Sequence, residues 1–349
     1  MTLSYLLLHV YLPRKNYKLL QAGFLIKHKL NIMEKRKLGS TDLLVSPVTF
    51  GGNVFGWTLD EKKSFEILDG FFAADFNFID TADVYSRWVP GHEGGESERI
   101  IGNWMKSRNN RDQVILATKA GSNMAVDGKK DLSKKYIIKA IDASLKRLQT
   151  DYVDLYQSHY DDPETPVEET LEAYDQLIKA GKVRWIGASN FSPARLKESL
   201  EASQRLSLPK YQTFQPEYNL YQREVFEKEL EQICVDNHLG VINYYALASG
   251  FLTGKYRSEA DLGKSARGGG VKNFMNDRGF RILKALDEVS EQYNSSNASV
   301  ALAWLIARPS VSSPIASVTS LGQLDDLIRA ASLQLSAEDI SILDEASAW

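Results

Sequence analysis

One cysteine, Cys234, stands in 349 residues, so the chain can form no internal disulfide and no multi-cysteine zinc site, as expected of a protein kept in the reducing cytoplasm. Cys234 falls on the apolar face of Phe226, Leu230 and Ile233, which predicts packing rather than a reactive thiol. A basic excess is also missing. Lys and Arg number 42 against 45 Asp and Glu, a net charge of −3, which attracts neither phosphate backbones nor anionic lipid and predicts no nucleic-acid or membrane partner. The apolar stretch Tyr5 to Leu8 with Val10 is far shorter than the ~20 residues of a membrane span. It also precedes Arg14, Lys15 and Lys18, the reverse of a signal peptide's order. Five histidines, at positions 9, 28, 92, 159 and 238, make no His-x-His or His-Glu-x-x-His cluster, so no metal is expected and metallohydrolase chemistry is disfavoured. No strand is followed by Gly-x-Gly-x-x-Gly and no Walker-type turn occurs, which argues against a Rossmann domain and a P-loop.

With 43% hydrophobic and 25% charged residues, the composition is that of a globular protein with a large core. The sequence changes character around Met33. Glu34 to Leu38 and Leu43 to Val45, joined by Gly39-Ser40-Thr41-Asp42, predict a β-hairpin. The folded domain is expected to span 33–349, and residues 1–32 to be a disordered arm or the product of a start codon placed too early. Eight short β-rich runs follow: Val48 to Gly51, Phe76 to Ile79, Val114 to Thr118, Val153 to Gln157, Val183 to Ala188, Tyr211 to Phe214, Val241 to Tyr244, and Pro314-Ile315. Between them, apolar spacings of three and four, as in Ile137, Ile141, Leu145, Leu148, predict amphipathic helices. This alternation fits a parallel (β/α)₈ TIM barrel with an N-terminal hairpin; a doubly wound sheet shares it, but the missing nucleotide turns speak against that alternative. Gly268-Gly269-Gly270 reads as a flexible stretch of a long loop.

Polar residues end the apolar runs: Asp80, Lys119, His159, Asn190, Gln215 and Tyr244. In a barrel, the C-terminal strand ends meet on one face, where active sites lie. Tyr85 follows Asp80 by five residues. A lysine ammonium nearby is expected to lower its pKa from ~10 and make it a proton donor useful near neutral pH, while Asp80 pairs Lys119.

The stretches Phe78-Ile79-Asp80-Thr81-Ala82-Asp83-Val84-Tyr85, Ala117-Thr118-Lys119-Ala120-Gly121, Asp154-Leu155-Tyr156-Gln157-Ser158-His159 and Gly187-Ala188-Ser189-Asn190-Phe191 resemble the signatures of the aldo-keto reductases, over about Lys35 to Leu343. The resemblance implies an α/β (β/α)₈ barrel without a Rossmann domain, with NADP(H), or alternatively NAD(H), extended across the C-terminal face. It implies a catalytic tetrad at Asp80, Tyr85, Lys119 and His159, and the reduction of an aldehyde or ketone to an alcohol. It assigns the cofactor's carboxamide to Ser189, Asn190 and Gln215, stacking on the nicotinamide to Tyr244, and ribose and pyrophosphate contacts to Leu247, Gly250, Leu252, Gly254 and Lys255. The adenosine end would meet Ser317, Thr319, Ser320 and Gln323. Members selective for the 2′-phosphate commonly carry Arg or Lys in that last stretch; this chain has Gln323 where the arginine would fall and Leu327 at a usual asparagine position, so a modest preference for NADPH is expected. Two alternatives stand beside this reading: an auxiliary barrel like the potassium-channel beta subunits, and a Schiff-base aldolase using Lys119. Phe55, Trp57 and Trp88 are expected to line the substrate pocket, suiting an apolar or aromatic carbonyl compound.

Overall fold

A computed structural model describes residues 33–122 and 129–349; the expectation for residues 1–32 lies outside the described residues. The hairpin is present, with β1 (Arg36–Lys37) antiparallel to β2 (Leu44–Val45). Eight further strands form one sheet: β3 (Thr49–Gly51), β4 (Phe78–Asp80), β5 (Ile115–Ala120), β6 (Val153–Ser158), β7 (Val183–Ser189), β8 (Thr213–Gln215), β9 (Gly240–Val241) and β10 (Ile315–Ala316). All their pairings are parallel, and β10 lies beside β3. Backbone bonds from Ser312 N–H to Val241 C=O (2.8 Å) and from Ile315 N–H to Asn243 C=O (2.9 Å) close the sheet into a barrel.

Side chains alternate across each strand, and that period sorts the residues into two cores. Phe78, Ala117, Leu155, Ile242 and Ile315 pack together inside the barrel, with Leu38, Leu43 and Val45 of the hairpin in the same cluster. The hairpin therefore plugs the N-terminal mouth. Residues on the opposite face, such as Phe50, Ile79, Leu116, Tyr156 and Ile186, meet Phe71, Trp104, Ile141, Leu171 and Trp304 from the surrounding helices. Each such apolar side chain removed from water contributes ~1.5–3 kcal/mol before entropic costs. Two residues beyond the innermost apolar layer, the same inward face carries Asp80, Lys119 and Gln157. Ionisable side chains thus join the inward face toward its C-terminal end, where Asp80 and Lys119 are buried.

Local signals set the helix ends. Ser133 accepts a bond from Tyr136 N–H to start the helix Lys134–Leu148, whose Ile137, Ile141, Leu145 and Leu148 are buried. Pro166 precedes Val167–Lys179, and Gly181, at φ +71°, reverses the chain after it in the left-handed region that glycine adopts without penalty. Gly268 departs from the expectation. Gly268–Val271 is a helical turn, and a Cβ on Gly268 would lie 1.6 Å from the Leu262 carbonyl oxygen, so this glycine serves close backbone packing rather than flexibility. Among the described residues, no helix is long and apolar enough to cross a membrane.

Candidate active site

Strands β4, β5 and β6 run side by side in registers that pair Asp80 with Ala117 and Lys119 with Gln157. Asp80 and Lys119 thereby point into the same end of the barrel, where both are buried (1% and 0% exposed). Lys119 Nζ donates to Asp80 Oδ2 at 2.6 Å, to the Thr81 carbonyl at 2.8 Å and to the Tyr85 hydroxyl oxygen at 3.0 Å. All three ammonium protons are used, which offsets the cost of burying the cation. Tyr85 reaches this position through the loop after β4, and His159 follows β6, with ring centroids 6.0 Å apart.

Burial would lower the Lys119 ammonium, yet Asp80 and Tyr85 hold it above the ordinary lysine value. A Schiff-base nucleophile needs the opposite shift, which weighs against the aldolase alternative. For Tyr85 the direction differs from the sequence expectation. Lys119 does draw the phenol down, but burial outweighs it and Asp80 adds to the rise, so the hydroxyl lies above its usual range. It stays protonated through neutral pH, as a donor must. His159 is driven well below the ordinary histidine value, by burial first and Lys119 second, and is therefore neutral, with one N–H to donate. Its Nδ1 is buried without a partner. Asp161 instead pairs Arg195 at 2.7 Å, and Asp162 bonds Leu132 N–H and Thr165.

These groups open into a cavity of about 870 Å³ on the C-terminal face, within the range of cofactor and substrate sites. Ser189, Asn190, Gln215 and Tyr244 line it together. Tyr244 donates to Asn190 Oδ1 at 2.8 Å, and Asn190 Nδ2 donates to the His159 carbonyl at 2.9 Å. These bonds hold Asn190 at φ +56°, a left-handed conformation asparagine tolerates better than most residues. Leu247, Gly250, Lys255, Ser317, Thr319 and Gln323 also face the cavity. Neither Lys255 nor Arg267, a further lining residue, meets a carboxylate among the described residues. Amide and hydroxyl groups at one end, two unneutralised cations along the way, and the helix Leu321–Ser332 starting at the other form a donor set that fits a nicotinamide dinucleotide diphosphate.

Several expected contacts lie elsewhere. Phe55 is fully buried and stacks on Phe50 at 5.2 Å, so it belongs to the outer core rather than the substrate pocket. Trp57 does not line the cavity; it packs edge-on against Trp88 at 5.6 Å, under the Arg267 guanidinium. Trp88 does line it and is 48% exposed. Leu252 is buried in the core. Gly254 ends a turn at φ +76° beside Arg257 and Asn297, and the Ser320 hydroxyl caps the helix by accepting from Gln323 N–H. Asn53, Tyr160, Tyr245 and Arg267 also line the cavity, and Gln157 is buried behind it, none of them expected from the sequence. Gln157 carried a usable signal, since it follows Leu155 at the strand period; Arg267 carried none, because a long loop brings it to Asn53, at 3.3 Å.

Residues 47–348 match the Aldo/keto reductase family. The chain is 34% identical over 322 residues to the aldo-keto reductase YhdN of Bacillus subtilis (strain 168), covering 88% of this chain and 91% of that protein. It is 32% identical over 307 residues to a probable voltage-gated potassium channel subunit beta of Arabidopsis thaliana (85% and 91% covered). It is 30% identical over 322 residues to the norsolorinic acid reductase of Aspergillus flavus (88% and 79% covered).

Proposed function

Because the chain belongs to the aldo/keto reductase family, whose members are oxidoreductases acting on carbonyl groups, we propose that it reduces an aldehyde or ketone to an alcohol with NADP(H), with Tyr85 as proton donor. The observation carrying this reading is the buried line Asp80–Lys119–Tyr85, which ends in a protonated phenol beside neutral His159 in a large cavity. The dinucleotide, when bound, supplies a hydride to the carbonyl carbon. Tyr85 holds the proton that the carbonyl oxygen takes up. Lys119, whose Nζ already donates to the Tyr85 oxygen, stabilises the negative charge left there. His159, neutral, offers an N–H to the same carbonyl oxygen and orients it. Ser189, Asn190 and Gln215 would hold the carboxamide, Tyr244 the face of the ring, and Leu247, Gly250 and Lys255 the ribose and diphosphate. The single cysteine, buried and with its thiol pushed up to about 12, suits a cytoplasmic location.

NADPH is expected to be preferred over NADH by only ~10-fold, about 1.4 kcal/mol. Gln323 brings no charge, and the hydroxyls near it are engaged: Ser317 Oγ donates to the Gly51 carbonyl at 2.7 Å, and Thr319 Oγ1 to Gln323 Oε1 at 3.1 Å. Binding a 2′-phosphate there requires those hydroxyls to turn. The test is a panel of aldehydes and ketones followed by loss of reduced-nicotinamide absorbance, with kcat/KM compared for the two cofactors. Turnover with NADPH ahead supports the reading; equal or better values with NADH refute the preference. Cofactor binding without turnover of any panel member would favour an auxiliary barrel, the role named for the Arabidopsis relative.

A further inference from the structure

Asp80 has two carboxylate oxygens and both are spoken for. Oδ2 accepts from Lys119 at 2.6 Å. Oδ1 accepts from Gln157 Nε2 at 3.1 Å and from Gln215 Nε2 at 3.1 Å, while Gln215 Nε2 also donates to Gln157 Oε1 at 3.3 Å. A carboxylate only accepts, so it fixes which way each amide is turned. With both protons of Gln215 Nε2 directed at Asp80 and Gln157, the carbonyl oxygen of Gln215 is the end left for the cavity that Gln215 lines. Gln157 itself is fully buried and does not reach the cavity. The fold keeps room for it: Gln157 is in register with Gly187 on β7, and a Cβ on Gly187 would lie 2.1 Å from Thr213 Oγ1 and 3.1 Å from Gln157 Cγ.

We infer that Gln157 is a positioning residue for the proposed carbonyl reduction: with Gln215 it clamps Asp80 Oδ1 so that Oδ2 faces Lys119, and it turns the Gln215 carbonyl oxygen toward the cofactor. This inference rests on the functional reading above. The bracket links two tasks through one amide, because a cofactor carboxamide bonded to Gln215 and the charge pair behind Tyr85 share the Gln157–Gln215–Asp80 contact. The titratable groups near Asp80 are Lys119 from β5 and Tyr85 from the loop after β4, with His159 from the end of β6 across the Tyr85 ring. Strands β7 and β8 face it with Gly187 and Gln215 and bring no charge.

Two variants of the full chain test it, with benzaldehyde and NADPH as probes. Gln157→Met keeps the length and removes the donor. It is expected to lower kcat roughly 10-fold, the scale seen when an orienting partner is lost, and to raise the NADPH Kd, read by fluorescence titration, roughly fivefold. Gln157→Glu separates positioning from packing. Its neutral carboxyl can donate to Asp80 as the amide does, whereas its carboxylate repels Asp80, so kcat should approach that of the unaltered enzyme at acid pH and already fall by neutral pH, where the unaltered enzyme, with Tyr85 still protonated, does not. Unchanged kcat and Kd in Gln157→Met, or a Gln157→Glu profile without acid recovery, overturns the inference. If the unaltered protein binds NADPH but reduces no carbonyl, the functional reading fails by itself, and equal or different Kd values for the unaltered protein and Gln157→Met still decide the bracket.

Discussion

Tyr85→Phe is expected to lower carbonyl reduction by ~100-fold or more, the scale of general acid catalysis, while cofactor affinity and melting temperature stay close to those of the unaltered protein. The substitution removes one oxygen. The ring contacts to Trp88 and His159, at 6.1 and 6.0 Å between centroids, are made by carbon atoms that phenylalanine keeps. Lys119 retains its bonds to Asp80 and Thr81, so no buried charge is stranded. The loss should therefore fall on kcat, with the Kd for NADPH nearly unchanged. Turnover close to that of the unaltered enzyme would remove Tyr85 from the chemistry.

Lys119→Met should do more damage, and of two kinds. It leaves the Asp80 carboxylate in the barrel interior with only two amide donors, and breaking a buried ion pair from one side costs ~3–5 kcal/mol. Asp80→Asn strands the ammonium and should cost a similar amount. Combining Asp80→Asn with Lys119→Met removes both charges, so the double variant should recover most of the lost stability while reduction remains at least ~100-fold down. Denaturant unfolding of the three variants beside their turnover checks this. Additive stability losses would show that the pair is not coupled, and recovery of turnover in the double variant would show that the ammonium is dispensable.

The barrel was legible because its strands are short, apolar and separated by helical periods, and because the polar residues ending the runs recur where β4, β5, β6, β7 and β8 stop. Strand limits were less so. The seventh run was expected over Val241 to Tyr244, whereas β9 covers Gly240–Val241; beyond it, single bonds such as Tyr244 N–H to the Pro216 carbonyl at 2.9 Å hold an extended chain without continuous ladder pairing. Asp80, Lys119 and Tyr85 do meet in the structure, but the Tyr85 shift runs opposite to the sequence expectation, since it depends on how completely the phenol is enclosed. Enclosure is a sum over neighbours from several strands and loops, which spacing along one strand does not reveal. Phe55 failed for a related reason. An aromatic residue just after the first barrel strand faces either the cavity or the helical layer, and only the packed position of Phe50 and Phe71 (5.3 Å apart) decides between them. Gln157 was visible at the right period, yet as a neutral residue within an apolar run it offered no charge or nucleophile to single it out.

Hydride transfer to a carbonyl carbon, with the proton taken from Tyr85, is open to direct measurement by isotope transfer. NADPH carrying deuterium at both C4 positions is incubated with enzyme and benzaldehyde in ordinary water, and the alcohol is weighed by mass spectrometry. One deuterium per benzyl alcohol, bound to carbon, is expected, at a rate at least ~100-fold lower with Tyr85→Phe. Alcohol formed without deuterium, or formed equally fast by Tyr85→Phe, would contradict it.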